Sequence, residues 1–133
     1  MVDRLHLDTD FLVFALAQDG PERARLREAA ASEAVLEISA IAWYEFCCGP
    51  RTPDEVSAAR QLFGEDGVVP FTRDLAERAG EQFRRLGSPR RRAADIAVGT
   101  TAVDQGALLL SRNTRDFSDI DSLRLEPAAP GRR

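Results

Sequence analysis

Apolar and polar residues alternate along the chain with a period that switches repeatedly between that of strands and that of helices. Residues 5–7 alternate as a strand does, and the apolar run over residues 11–16 predicts a buried helix capped by Thr9 or Asp10. Asp8 then lies at the carboxyl end of a first, central strand, where ligands collect in open α/β sheets. Its carboxylate is either a helix-capping group or part of a metal site.

The rest of the pattern predicts strands that alternate with helices. Helices are predicted over residues 21–31, 40–48, 53–63, 73–86 and 93–105, and strands over residues 35–39, 68–71, 107–111 and, as a candidate last strand, 123–125. Ser39 and Thr72 are the predicted N-caps of the helices that follow them. Pro70 places the third strand at a sheet edge. This alternation is typical of an α/β domain with a parallel sheet covered by helices on both faces.

Composition predicts one globular domain. The 133 residues are 44% hydrophobic and 30% charged, which suffices for a core without disulfides or a structural metal. We expect residues 1–126 to form the domain and residues 127–133 to form a flexible tail. No apolar run approaches the roughly 20 residues of a membrane span, and no basic-then-apolar export signal is present, so a cytoplasmic location is expected.

The basic residues are unusual because all 18 are arginine. Arginine presents a fork of donors that suits contact with phosphate. The net charge of −4 argues weakly against a broad nucleic-acid-binding surface. Four carboxylates held in one metal pocket would account for that whole excess of acid. The net charge therefore does not exclude an RNA substrate.

Four acidic residues fall near the ends of predicted strands. Asp8 follows the first strand, and Glu45 lies in the helix after the second. Asp95 opens the helix before the fourth strand, and Asp116 lies just beyond that strand in a turn or short helix over residues 113–117. Each has an ordinary explanation, such as solvent exposure, the helix dipole or turn chemistry. Strand carboxyl ends and helix N-termini share one sheet edge, so the acids can converge, and Mg²⁺ or Mn²⁺ would suit such oxygen ligands.

These segments, in this order, resemble the PIN-domain ribonucleases of the VapC toxin type over residues 5–125. The matching segments are residues 7–12, 39–49, 94–97 and 109–117. The resemblance implies a five-stranded parallel sheet, a Mg²⁺ site that Mn²⁺ can also fill, RNA cleavage, a homodimer and a cognate antitoxin protein. By matching position, it assigns catalytic and metal-binding roles to Asp8, Glu45, Asp95 and Asp116, and supporting polar roles to Thr9, Ser111 and Asn113.

Other residues are interpreted more simply. Asp10 stands where the family usually has asparagine, and we interpret it as a helix cap. His6 is the single histidine, and we expect it on a strand face rather than as a general base. Four arginines are candidates for contact with RNA phosphates: Arg90, Arg91, Arg92 and Arg112. Three aromatic residues are expected in core or dimer contacts rather than in base stacking: Phe14, Trp43 and Phe46.

Other classes of protein remain as alternatives. Asp8 and Asp10 after a strand also resemble the haloacid-dehalogenase phosphatases, but that family has Thr or Val where this chain has Leu12. Both that family and the response-regulator receivers need a lysine, and this chain has none. A catalytically silent PIN module that binds RNA or protein stays open. Because the chain has no better nucleophile or base, the expected reaction is hydrolysis of RNA phosphodiester bonds by a metal-activated water, with one or two ions.

Overall fold

The computed structural model of the protein describes residues 3–126, which form a five-stranded parallel sheet with the order β3-β2-β1-β4-β5. The strands are β1 (Arg4–Leu7), β2 (Val35–Ser39), β3 (Val68–Val69), β4 (Leu108–Leu110) and β5 (Arg124–Glu126). The helices are α1 (Thr9–Ala17), α2 (Pro21–Ala31), α3 (Ala40–Cys48), α4 (Pro53–Phe63), α5 (Arg73–Arg85) and α6 (Ala93–Asp104). The predicted fold class is confirmed. The predicted tail, residues 127–133, lies outside the described residues.

Both faces of the sheet are covered. Consecutive residues of a strand point to opposite faces, and Leu5, His6 and Leu7 of β1 are all at most 2% exposed. The same continuous burial runs through residues 36–39 of β2. The apolar core that results also contains Leu12, Ile96 and other aliphatic side chains, each contributing about 1.5–3 kcal/mol by its burial.

The order of the strands determines where a ligand can bind. The chain passes from β1 through β2 to β3 on one side and then returns to place β4 and β5 on the other side of β1. The direction of winding therefore reverses between β1 and β4. In parallel α/β sheets, the crevice at the carboxyl ends of two such strands is the usual ligand site.

The structure corrects the predicted start of α1. Asp8 is the N-cap, and its Oδ1 accepts a hydrogen bond from the Thr9 backbone amide at 2.7 Å. The predicted caps, Thr9 and Asp10, both lie inside the helix, so the interpretation of Asp10 as a cap is wrong. β3 ends at Val69 because the following Pro70 cannot donate to the sheet, and β5 lies one residue further along the chain than predicted.

Two helix starts and the place of β3 agree with the sequence pattern, whereas β4 is one residue shorter at each end and α5 and α6 each end one residue earlier than predicted. Ser39 caps α3 by accepting a hydrogen bond from the Ile41 amide, and Thr72 caps α5 by accepting one from the Leu75 amide. β3 lies at the sheet edge, as Pro70 indicates. Within the described part of the chain, every helix falls short of the length and apolarity needed to cross a membrane.

One ion pair is buried inside the sheet. His6 of β1 and Glu37 of β2 are neighbours in register, and His6 Nδ1 lies 2.5 Å from Glu37 Oε2. Arg4 and Gln105 donate to the other oxygen of Glu37 at 3.0 and 3.3 Å. Burial raises the pKa of Glu37, but His6, Gln105 and Arg4 outweigh it, so the pKa lies below its usual value. The prediction that His6 is a strand-face residue is confirmed.

Candidate active site

Asp8 is buried at the switch point between β1 and β4. Its backbone amide donates to the Leu110 carbonyl of β4 at 3.1 Å, which brings the two strand ends together. Its Oδ2 accepts a hydrogen bond from the Ser111 hydroxyl at 2.9 Å. Burial raises the pKa of Asp8 to about 6, although the hydrogen bonds from Ser111 and Thr9 lower it; the charges of Asp10 and Glu45 raise it further.

Asp95 lies in the first turn of α6, where the helix dipole favours a negative charge. Even so, burial raises the pKa of Asp95 to about 7, with repulsion from Asp8, Asp116 and Glu45 adding to the effect. The nearby Arg92 opposes that rise only in part. Within residues 3–126, no group donates a hydrogen bond to the Asp95 carboxylate. The pKa values of two carboxyl groups at this edge, Asp8 and Asp95, thus lie above their usual range.

Glu45 reaches the site from α3, which begins directly after β2 because Ser39 caps it. The Thr9 hydroxyl lies 3.2 Å from both Glu45 Oε1 and the Ala42 carbonyl oxygen, and it can donate to either. The side chain of Glu45 is otherwise exposed. Thr9 therefore links the start of α1 to α3 and orients an acid at the rim of the site.

Asp116 lies in a short 3₁₀ turn, Thr114–Asp116, that follows β4. Its Oδ2 accepts a hydrogen bond from Asn113 Nδ2 at 2.5 Å. The Asn113 backbone amide donates to the Ser111 hydroxyl at 3.0 Å, and that hydroxyl donates to Asp8. A continuous chain of hydrogen bonds thus joins Asp8 to Asp116 through the two supporting residues that the sequence indicates.

The four acids lie at the same edge of the sheet without forming a closed cage. The charges of Asp8, Asp116 and Glu45 contribute to the raised pKa of Asp95. Among residues 3–126, however, no three His, Cys, Asp or Glu side chains lie close enough to bind one ion together. Mg²⁺ usually keeps several waters and takes one or two carboxylates directly. An open set of carboxylate oxygens therefore fits a hydrated hard cation.

The three arginines before α6 differ from one another. Arg90 and Arg91 are exposed and form no ion pair within residues 3–126, so they are free to meet an anion. Arg92 is instead turned inward, where it donates to the Asp116 carbonyl oxygen and to the carboxylate of Asp119. The sequence contains no local signal for this link, because 24 and 27 residues separate its ends.

Arg112 is also engaged within the protein. Its guanidinium carbon lies 3.5 Å from the centre of the Phe14 ring, and its Nε lies 3.2 Å from an oxygen of the buried Glu22. Contact with RNA phosphate stays a prediction for this residue. Among the aromatic residues, Phe46 is buried in the core and Trp43 stacks on it with ring centres 5.5 Å apart.

This geometry defines the class of protein: a parallel α/β domain with several carboxylates at the carboxyl edge of its sheet. A family model of the PIN domain matches residues 5–123. The chain therefore belongs to the PIN domain family, and the resemblance drawn from the sequence is confirmed at that level. No curated protein sequence matches the chain.

Several solved structures share the fold. VapBC2 from Rickettsia felis, bound to a DNA fragment from its promoter, is 17% identical with a TM-score of 0.73, covering 95% of this chain and 99% of that chain. DNA-bound VapBC from Salmonella typhimurium is 20% identical with a TM-score of 0.69 and coverage of 96% and 98%. A toxin–antitoxin complex from Klebsiella pneumoniae is 22% identical with a TM-score of 0.70 and coverage of 90% and 94%. At these identities the likeness is one of fold.

Proposed function

We propose that the protein is a divalent-cation-dependent endoribonuclease that acts as the toxin of a toxin–antitoxin pair. The observation that carries the proposal is the placement of Asp8, Glu45, Asp95 and Asp116 at the carboxyl edge of a PIN-family sheet. The raised pKa values of Asp8, about 6, and of Asp95, about 7, support it. Within residues 3–126, no arginine forms an ion pair with either residue. Buried or half-buried carboxylates that repel one another at a ligand-binding edge are stabilised when a cation binds between them.

The ion that fits is Mg²⁺, with Mn²⁺ as a substitute, because every available ligand is a hard carboxylate oxygen. Asp8 and Asp95 would hold it directly, and Glu45 and Asp116 would do so directly or through water. When bound, the ion lowers the pKa of a water molecule and neutralises charge on the scissile phosphate.

The chain's own residues orient the reacting groups. Ser111 and the Thr9 backbone amide each donate to one oxygen of the Asp8 carboxylate, and together they fix its orientation. Thr9 orients the exposed carboxylate of Glu45, which would accept a proton from the attacking water. His6 takes no part, because it is buried against Glu37 in the interior of the sheet.

The RNA strand is proposed to pass over the exposed residues Arg90 and Arg91, which directly precede the helix that carries Asp95. Exposed arginines contact phosphates without reading sequence. Replacing either by Gln should raise KM and weaken the salt dependence of binding, while kcat changes little. An unchanged KM in the double variant would remove these residues from the substrate path.

A cognate antitoxin is the proposed inhibitor, since the similar solved structures are toxin–antitoxin complexes. A dense acidic site attracts cations, and a guanidinium can pair with carboxylates through two hydrogen bonds. The antitoxin should therefore present an arginine or lysine to the four acids or block the groove beside them. A structure of the complex with the site open and untouched would refute this.

The toxin is further proposed to be a homodimer, which analytical ultracentrifugation measures directly.

Analysis of the product ends tests the proposed chemistry. Attack by water on the phosphodiester does not use the 2′-hydroxyl, so the products should carry a 5′-phosphate and a 3′-hydroxyl. Mass spectrometry of a cleaved RNA oligonucleotide distinguishes these ends from others. A 2′,3′-cyclic phosphate would mean that the 2′-hydroxyl is the nucleophile and that this interpretation of the acids is wrong.

A further inference from the structure

The Arg92 side chain connects the turn before α6 to the chain around Asp116 and Asp119. Its Nε and Nη2 donate to the Asp116 carbonyl oxygen at 3.3 and 3.0 Å, and Nη1 donates to Asp119 Oδ2 at 3.0 Å. Its Nη2 also pairs with the second oxygen of Asp119. The side chain is 21% exposed, whereas the preceding Arg90 and Arg91 are open to solvent.

We infer that Arg92 is a positioning residue that fixes Asp116 beside Asp95, and that it acts through the Asp116 backbone rather than by binding RNA. The inference rests on the proposed function, because it concerns the same acidic site. It assigns different tasks to three consecutive arginines: Arg90 and Arg91 meet substrate, and Arg92 holds the site together.

The turn that carries Asp116 needs such an anchor. The turn has three residues and no side-chain cap, and a single backbone hydrogen bond, from Phe117 to Thr114, closes it. The Asn113 side chain holds one carboxylate oxygen of Asp116 but not its peptide group. The Asp116 carbonyl is bound instead by Arg92, which belongs to the turn that leads directly into α6.

The chain beyond this turn packs against the same helix. A Cβ atom added at Gly99 of α6 would lie 2.5 Å from Ile120 Cδ1, so the glycine allows that side chain to approach the helix closely. Phe117 and Ile120 are accordingly buried, at 1% and 6% exposure. Arg92 therefore adds a polar connection between α6 and the following segment, which already pack against each other. It sets the position of Asp116 relative to Asp95, which lies three residues after it on α6.

The shape of the guanidinium matters as well as its charge. A planar fork can donate to a carbonyl and a carboxylate together, whereas the lysine ammonium is a point charge on a flexible stem. Arg92→Lys should therefore keep the positive charge but lose the defined position of the turn. If Arg92 served only as a charge for RNA phosphate, lysine would replace it well.

Metal affinity separates the two roles by the sign of the change. Removing a cation beside a cation-binding site should strengthen metal binding if electrostatics alone decided the outcome. A positioning role predicts the reverse, because loss of a residue that orients a ligand typically weakens metal binding by about 10–100-fold. Asp119→Asn removes the other end of the link. This substitution should also weaken metal binding. If the task of Arg92 were instead to bind RNA, the substitution would free Arg92 for that contact.

The experiment measures the Mn²⁺ dissociation constant by calorimetric titration and amide hydrogen exchange in residues 114–119. The variants are Arg92→Gln, Arg92→Lys and Asp119→Asn. Arg91→Gln is the matched neighbour, and Arg84→Gln is an exposed control at the far end of α5. Thermal melting establishes that each variant is folded.

The inference expects weaker Mn²⁺ binding and faster exchange for the Arg92 and Asp119 variants. It expects no change in either quantity for the Arg91 and Arg84 variants. Unchanged or tighter Mn²⁺ binding by Arg92→Gln, with a higher KM for RNA, would overturn it. If the unaltered protein neither binds Mn²⁺ nor cleaves RNA, the proposed function fails. Hydrogen exchange at residues 114–119 then decides whether Arg92 holds this segment in place. Exchange in Arg92→Gln at the rate of the unaltered protein overturns the inference.

Discussion

Two buried carboxylates on neighbouring central strands have opposite electrostatic environments. Glu37 of β2 is 1% exposed and Asp8, at the end of β1, is 8% exposed. Glu37 contacts His6, Arg4 and Gln105, which together outweigh burial and lower its pKa. For Asp8, burial raises the pKa to about 6, because its two neutral donors offset burial only in part and nearby acids add to the rise. Burial alone therefore does not determine the charge of an acid.

The two environments indicate different roles for these acids. The environment of Glu37 is complete within the chain, so this acid contributes to folding. Within residues 3–126, no ion pair offsets the charges of Asp8 and Asp95, and their repulsion arises at the edge where ligands usually bind in parallel α/β sheets. Perturbed carboxyl groups in such a position are candidates for function on physical grounds.

Removing an acid from the carboxyl edge should have the largest effect. Asp8→Asn or Asp95→Asn should lower RNA cleavage by at least about 10²–10³-fold, the usual cost of losing one group that stabilises charge in a transition state. The free energy of unfolding without metal should be unchanged or higher, because repulsion is relieved. Cleavage assays and urea denaturation check the two halves of this prediction. Cleavage within a few-fold of the unaltered protein would remove the residue from the site.

Glu37→Gln should have the opposite profile. Breaking a buried ion pair leaves His6 and Arg4 without their charged partner, and we expect a loss of about 3 kcal/mol in the free energy of unfolding. Cleavage per folded molecule should stay the same, since Glu37 bonds to Arg4, His6 and Gln105 and to none of the four acids. Urea denaturation gives the first quantity, and a cleavage assay normalised to folded protein gives the second. A stable variant with poor cleavage would mean that the two regions are coupled.

The two regions should also differ in their response to pH. Asp8 and Asp95 have ordinary pKa values of 3.8 that rise to about 6 and 7 in the folded protein. The folded state thus binds more protons than the unfolded chain between about pH 4 and 7, and their contribution lowers stability as pH rises through that window. Glu37 behaves in reverse, because its pKa is lowered from 4.5. Its stabilisation is present above that value and is lost as pH falls through the folded pKa.

Divalent cations should counteract the loss of stability that Asp8 and Asp95 cause as pH rises. Protons compete with the ion for Asp8 and Asp95, so the rise in melting temperature caused by Mg²⁺ should grow from pH 5 to about pH 7. Melting curves with and without Mg²⁺ across that range measure it. A stabilisation by Mg²⁺ that does not depend on pH would indicate binding elsewhere on the protein.

The residues that orient the acids should matter less than the acids themselves. Ser111→Ala removes the hydroxyl that donates to Asp8 and begins the hydrogen-bond chain to Asp116. We expect a loss of about tenfold in metal affinity, at the low end for residues that support metal ligands. Thr9→Val, which removes the donor to Glu45 at the rim, should cost less. Calorimetric titration with Mn²⁺ ranks the two variants, and the reverse ranking would contradict the account.

Asp10→Asn should have the smallest effect. Asp10 is exposed, and its charge raises the pKa of Asp8 only as a secondary contribution. Cleavage at pH 7 should change by less than about threefold, since exposed charges act weakly through water. A loss comparable to that of Asp8→Asn would instead make Asp10 a ligand of the ion.

Much of the fold could be predicted because its signals are local. Ser39 and Thr72 identify helix starts, and Pro70 identifies an edge strand, through the chemistry of one or two residues. The convergence of the acids could also be predicted, since parallel strands place their carboxyl ends at one edge. The family resemblance then selected the particular acids.

The parts that could not be predicted depend on tertiary contacts. His6 and Glu37 meet only because of the register between β1 and β2, which the sequence pattern does not specify. The sequence pattern groups Arg92 with Arg90 and Arg91 because nothing nearby distinguishes it; its partners, Asp116 and Asp119, lie far along the chain. Asp8 became the helix cap because its own backbone ends the strand, whereas Thr9 and Asp10 looked equally suitable by residue type.

Cleavage of total RNA by purified, chelator-treated protein, with and without added Mg²⁺, tests the central claim most directly. Asp95→Asn, assayed in parallel, excludes a contaminating nuclease. The account predicts cleavage by the unaltered protein only when Mg²⁺ is present, and none by the variant in either condition. Full cleavage in excess EDTA, or equal cleavage by the variant, would contradict it.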